Sequence, residues 1–387
     1  MLLGTLSKEK LRWITLIFFF LSGIITASWA SRIPDVQNKF GLNDAQWGFI
    51  LFALPLGLVI GLPISSWIVA KYSARKTMII SSILFAFIFF LLALPSNKWH
   101  LAILLFFFGL LRNATNFSIN TYSIEVQKLY DRPIISTFHG IWSLACLLAA
   151  GVGTLMIAAG IIPLWHFLFI SIITITGCLI YKNGGYDRNI QSGERRPILI
   201  MPTRYLFLLG LIILCGMICE VTMFDWGVNY FRSVIQVKKE WSTAGYTAYV
   251  IAMVSGRLVG DKLMAHYGPI KMLFINGFLM ASGFFIAIVF PFFLTACLGF
   301  LLVGLGNSIL VPMIYGLAGQ SKDMAPGYAI ASVTMVGYIG FLMGPLVVGN
   351  ISESWGMKWA FALMGVLSIS MIGITVLVRK HHKLMKQ

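Results

Sequence analysis

Apolar residues fill twelve long stretches of this chain, near 13–30, 46–69, 77–95, 101–125, 135–160, 163–181, 205–228, 243–260, 271–290, 294–318, 328–350 and 359–378, and polar residues gather in the gaps. Most stretches reach the ~20 residues that an α-helix needs to cross ~30 Å of hydrocarbon. The pattern predicts an all-α membrane protein with twelve transmembrane helices. Short gaps at 160–163 and 291–293 suit antiparallel neighbours in a packed bundle. Glycines such as Gly57, Gly61, Gly344 and Gly349 let helix backbones approach closely in lipid. Pro55, Pro63, Pro312 and Pro345 also fall inside the stretches. Each can serve as a hinge or be absorbed by neighbouring helices.

The stretches repeat. Gly61, Ala70, Tyr72 and Lys76 recur 195 positions later as Gly256, Ala265, Tyr267 and Lys271. Gly109-Leu110-Leu111-Arg112 recurs at the same offset as Gly304-Leu305-Gly306-Asn307. The longest polar gap, Lys182 to Arg204, divides the chain almost in half and has the composition of a solvated linker. The expected organisation is a six-helix bundle over 1–182, a cytoplasmic linker over 183–204, and a second bundle with a short basic tail over 205–387. Parallel repeats of this kind place a solute path near the bilayer midplane, with Arg112 and Asn307 expected to face each other across it.

Charge changes the picture less than its size suggests. The chain is 58% hydrophobic and 11% charged, with a formal net charge of +16. With both termini inside, 20 Lys/Arg fall on the cytoplasmic side, 7 outside and 2 within spans. This obeys the positive-inside rule, so the basicity reports topology and a nucleic-acid partner is not expected. Lys8, Lys10 and Arg12 precede a first span without a small-residue cleavage site, which predicts an uncleaved helix. Cys146, Cys178, Cys215, Cys219 and Cys297 all lie inside spans, as small packing residues.

An ionisable residue at membrane depth is costly and therefore a functional candidate. Arg112 lies ~18 Å into the fourth stretch at 1.5 Å per residue. Asn113, Asn116, Asn120 and Ser123 follow it and form a polar stripe. Such a stripe suits hydroxyls or carboxylates in a watery cavity, or else hydrogen bonds between helices. Glu220 lies ~24 Å along the seventh stretch, with Asp225 above it. A buried carboxylate tends to stay protonated, so Glu220 could load a proton outside and release it inside; a static ion pair is the alternative. Asp225 could share that role or mark a helix end. His139 is a candidate proton relay or gate, or a packing histidine. Trp29, Trp226, Tyr249 and Tyr338 could stack on a sugar ring or simply pack. Asn307, at the repeat position of Arg112, joins the substrate-binding candidates.

The run Gly256-Arg257-Leu258-Val259-Gly260-Asp261-Lys262, followed by Tyr267-Gly268, resembles a loose form of the signature loop of major facilitator superfamily transporters, Gly-x-x-x-Asp-Arg/Lys-x-Gly-Arg/Lys. The resemblance implies the major facilitator fold and a cytoplasmic charge network, with Arg257, Asp261 and Lys262 as gate residues. The first-half copy departs from the pattern: Ser66 stands at the Asp261 position, although Lys71, Arg75 and Lys76 keep the basic end. Within the superfamily, Trp29-Ala30-Ser31-Arg32-Ile33-Pro34-Asp35 and Glu220 through Tyr230 resemble the fucose-permease-related group and its YbjJ-like branch. That resemblance implies a proton-linked secondary transporter in the bacterial inner membrane, with sugars as the best-known cargo nearby. No cofactor beyond a proton gradient is expected, and the partners are a small solute and the lipid around a monomer. Proton-antiport efflux of an amphipathic compound and a non-transporting sensor are the competing readings. The sequence offers no nucleophile–base pair, metal-ligand cluster or phosphate-binding Gly-rich loop, so no enzyme and no metal site are expected.

Overall fold

A computed structural model of the chain describes residues 7–130, 134–181, 201–321, 324 and 326–384. Most of the expected linker, up to residue 200, lies outside the described residues. By contact the chain divides into two units, Met1–Gly41 with Ile50–Arg195, and Leu42–Phe49 with Arg196–Gln387.

The helices of the first half are α1 (Lys8–Lys39), α2 (Asp44–Leu51), α3 (Ala53–Tyr72), α4 (Ala74–Leu91), α5 (Lys98–Gln127), α6 (Ile135–Ala158) and α7 (Pro163–Tyr181). Those of the second are α8 (Arg204–Ser233), α9 (Ala244–Tyr267), α10 (Pro269–Val289), α11 (Phe293–Asn307), α12 (Leu310–Gly319), α13 (Pro326–Trp355) and α14 (Met357–Leu384). The pairs α2–α3 and α11–α12 each form one span. Among the described residues, eleven spans are long and apolar enough to cross a membrane. The remaining expected stretch is α9, whose 24 residues include Arg257, Asp261 and Lys262.

Both breaks within spans lie just before a proline. Proline has no N–H for the carbonyl four residues back and crowds it sterically. Pro55 thus releases Leu51, and the helix is interrupted at Phe52; Pro312 releases Ser308, and it is interrupted at Ser308–Ile309. Pro63 and Pro345 sit inside α3 and α13 without interrupting them.

The sequence repeat reappears as repeated packing. A Cβ on Gly109 would run into the Leu54 carbonyl oxygen, and one on Gly304 into that of Tyr249. Leu54 and Tyr249 are themselves 195 apart. Gly61 of α3 lies against α5, where a Cβ would stand 3.1 Å from Leu110 O and 3.2 Å from Asn113 Cβ. Gly256 of α9 lies against the equivalent Leu305 and Ser308. The turns after α3 and α9 also match: Ser73 has φ 90° and ψ 152°, Gly268 φ 76° and ψ 156°.

Each unit has an aromatic core. In the first, Phe85 stacks on Phe108 at 4.7 Å and Phe89 meets Phe167 at 4.3 Å. In the second, Tyr230 packs on Phe361 at 4.3 Å and donates its hydroxyl to Ala287 O at 2.8 Å. The second unit also takes in the start of α2, which lies on α13. Asp44 N–H donates to Glu353 Oε2 at 3.0 Å, and Ser352 Oγ donates to Asp44 Oδ2. Gly48 is required there, since a Cβ would run into Pro345 O.

Candidate functional site

Three helices of the second unit bring polar groups together. Asn307 ends α11, only 4% exposed, and its Nδ2 has two hydrogens to place. It donates to Glu220 Oε2 of α8 at 3.1 Å and to the Tyr249 hydroxyl of α9 at 3.2 Å. The other amide atom, Oδ1, is buried and accepts no hydrogen bond from the protein. Among the described residues of the unit, no Lys, Arg or His forms an ion pair with Glu220. The carboxylate is thus held by a neutral amide. Phe224, one turn beyond Glu220, sets its ring edgewise to Tyr246 and Tyr249, each at 5.7 Å. Tyr315 of α12 lies within electrostatic reach of Glu220, and Tyr338 of α13 within reach of Tyr315. Both tyrosines are half-buried, as is Asp225.

The break between α11 and α12 sets the geometry. Ser308 N–H turns back to Leu305 O at 3.4 Å, and its hydroxyl donates to the same oxygen at 2.7 Å. The Ser308 carbonyl accepts from Arg257 Nε at 3.3 Å. Interrupted helices near mid-membrane place backbone and side-chain polar groups where a solute or ion can reach them.

The first unit spreads its polar stripe over several neighbours. Ser22 of α1 donates to Asn116 Oδ1 at 3.0 Å. Asn113 is buried beside Gly61 of α3, with Oδ1 accepting nothing from the protein. Asn120 Nδ2 turns back to Asn116 O at 2.8 Å. Arg112 is half-buried on the same helix.

A family model described as the Major Facilitator Superfamily matches residues 14–326 and 246–387. The chain belongs to the Major Facilitator Superfamily. It is 30% identical to an uncharacterised transporter of Sinorhizobium fredii, over 90% of this chain and 93% of that one. An uncharacterised MFS-type transporter of Yersinia pestis is 28% identical, over 92% of each. Among solved structures, the nucleoside transporter NupG matches with a TM-score of 0.75 at 14% identity, covering 96% of this chain and 99% of that one. This superfamily member is therefore a multi-pass membrane transporter, of a family of carriers.

The superfamily transporter brings three sequence candidates, Glu220, Tyr249 and Asn307, into one hydrogen-bonded cluster, with Arg257 joined to it through Ser308. Others are placed elsewhere. Trp29 is buried near Phe108 and Phe167, at 6.0 and 6.3 Å. Trp226 is fully buried. His139 is exposed on α6 and meets the edge of Phe19 at 5.2 Å. Lys262 is exposed, and the side chain of Asp261 lies outside the described residues. The signature read as a loop is corrected here: Gly256 to Tyr267 all belong to α9, because no residue before Gly268 stops the helix.

One cluster in the superfamily transporter escaped the sequence reading. Arg32 of α1 is 1% exposed. Its Nε donates to His166 Nδ1 of α7 at 3.1 Å, one terminal nitrogen to Asp35 Oδ2 at 2.9 Å and the other to Ile161 O at 2.8 Å. The planar guanidinium can satisfy three directions at once, and here it joins α1, α7 and the α6–α7 turn. Because Arg32 donates to Nδ1, neutral His166 must carry its proton on Nε2. The only local signal is the spacing of Arg32 and Asp35, three residues apart on one helix face.

Proposed function

We propose that the protein is a secondary active transporter that moves a small hydroxylated solute by alternating access, with Glu220 as its proton-coupling carboxylate. The observation that carries this reading is a half-buried carboxylate within a membrane-length helix, held by the Asn307 amide beside an interrupted helix. A carboxylate fixed by neutral donors can take up and lose a proton without breaking an ion pair. The unmet acceptor Asn307 Oδ1, beside the Tyr249 hydroxyl, favours a solute bearing hydroxyl groups. Nucleoside transport, which names the structural neighbour NupG, fits a hydroxylated cargo; so does the resemblance of Glu220 through Tyr230 to fucose-permease-related carriers. Inward flux across the bacterial inner membrane, with both termini in the cytoplasm, completes the proposal.

The test begins with a thermal-shift screen of sugars, nucleosides and organic acids to find a ligand. Uptake of that ligand into proteoliposomes under a pH gradient is then compared for wild type and Glu220→Gln. Gradient-driven uptake should fall to the level of empty liposomes while counterflow survives. Unchanged gradient-driven uptake removes Glu220 from coupling, and gradient-driven export in place of uptake reverses the assigned direction.

A further inference from the structure

We propose that Arg257 is a positioning residue: it captures the Ser308 carbonyl that Pro312 releases, and so holds Asn307 against Glu220. The importance of this contact for transport rests on Glu220 being the coupling carboxylate. The geometry itself does not.

In α12, Met313 N–H reaches Ile309 O at 3.1 Å. The next carbonyl back is that of Ser308, and its helical donor would be the N–H of residue 312. Proline cannot supply it. A buried carbonyl left without a donor is costly, and the Arg257 Nε–H takes the vacant place at 3.3 Å. Ser308 directly follows Asn307. Fixing its carbonyl therefore fixes the peptide from which the Asn307 amide reaches Glu220 and Tyr249.

Two glycines admit α9 to this position. A Cβ on Gly256 would run into Ser308 Oγ, and one on Gly260 into Ile309 Cγ2. Four residues apart, they form one bare face laid over the break, with Arg257 beside it. The repeat supplies an internal control. At the offset of 195, Leu62 stands for Arg257 and Phe117 for Pro312. There α5 runs without interruption from Lys98 to Gln127. The proline and the arginine are absent together, as expected if one answers the other.

The test uses infrared spectra of the full-length protein in lipid, without substrate. Difference spectra against Glu220→Gln assign the Glu220 carboxyl band, and Asn307→Ala gives its shift when the amide is lost. Arg257→Leu should reproduce that shift. Adding Pro312→Ala restores an N–H for Ser308, so the double variant should return the band to its wild-type position. A shift that persists in the double variant means that the guanidinium acts as a charge and overturns the proposal, as does an Arg257→Leu band that never moves. If Arg257→Leu fails to fold alone, recovery of folded protein on adding Pro312→Ala supports carbonyl capture; failure of both variants overturns it. None of these spectra depends on transport, so the uptake result for Glu220→Gln stands or falls separately.

Discussion

Ser73 holds a backbone conformation, φ 90° and ψ 152°, that side chains rarely adopt, and its repeat counterpart is Gly268. That region is essentially reserved for glycine and costs about 1–3 kcal/mol otherwise. The hydroxyl offsets part of the cost by accepting from Lys76 N–H at the start of α4. Ser73→Gly, which loses the cap but relieves the backbone, should melt at or above the wild-type temperature. Ser73→Ala keeps the strain without the cap and should lose about 1 kcal/mol; an alanine variant as stable as wild type would show that the cap contributes nothing. Single residues were also where the sequence was least legible. Arg32 and His166 are 134 positions apart, so nothing local marks their pairing. Tyr249 and Trp226 are both buried aromatics, yet only one carries a hydroxyl within reach of Asn307, and composition does not separate them. Glu220 could be picked out because ionisable groups are rare at that depth, and Asn307 because it stands at the repeat position of Arg112.

Helix pairs tell a different story. The crossings of α3 with α5 and of α9 with α11 each bring a glycine onto a backbone carbonyl, Gly109 on Leu54 and Gly304 on Tyr249. A methyl group at either place must separate two backbones, since neither can move as a side chain would. Gly109→Ala and Gly304→Ala should each cost about 1–3 kcal/mol, read as a drop in melting temperature. Ala at Gly140 or Gly373, where nothing lies within 4 Å, should leave that temperature nearly unchanged. Equal effects at all four sites would refute close packing as the reason for the repeat. The sequence showed these glycines as markers of duplication, but their contact partners emerge only once helices are paired. The prolines divide similarly. Four looked equivalent along the chain, and two coincide with breaks; the arginine that serves the carbonyl freed by Pro312 lies 55 positions earlier on another helix.

For the molecule as a whole, the apolar pattern was enough to read an all-helical membrane protein, because lipid leaves few other ways to satisfy a backbone. The distribution of basic residues predicts an orientation with both termini inside, and that prediction has a direct check. Alkaline phosphatase fused in the turn between α4 and α5, near residue 95, should be active, and fused after residue 384 it should be inactive; the opposite result would invert the topology. The start of α2 carries one more consequence, for the order in which the protein is made. Asp44 and Ser352 are bonded across 308 positions of chain. At ~5–20 residues per second of synthesis, the ribosome delivers the partner of Asp44 about 15 to 60 s after Asp44 itself. Throughout that interval the nascent first half holds a helix start, bare-sided at Gly48, whose packing surface has not yet been translated.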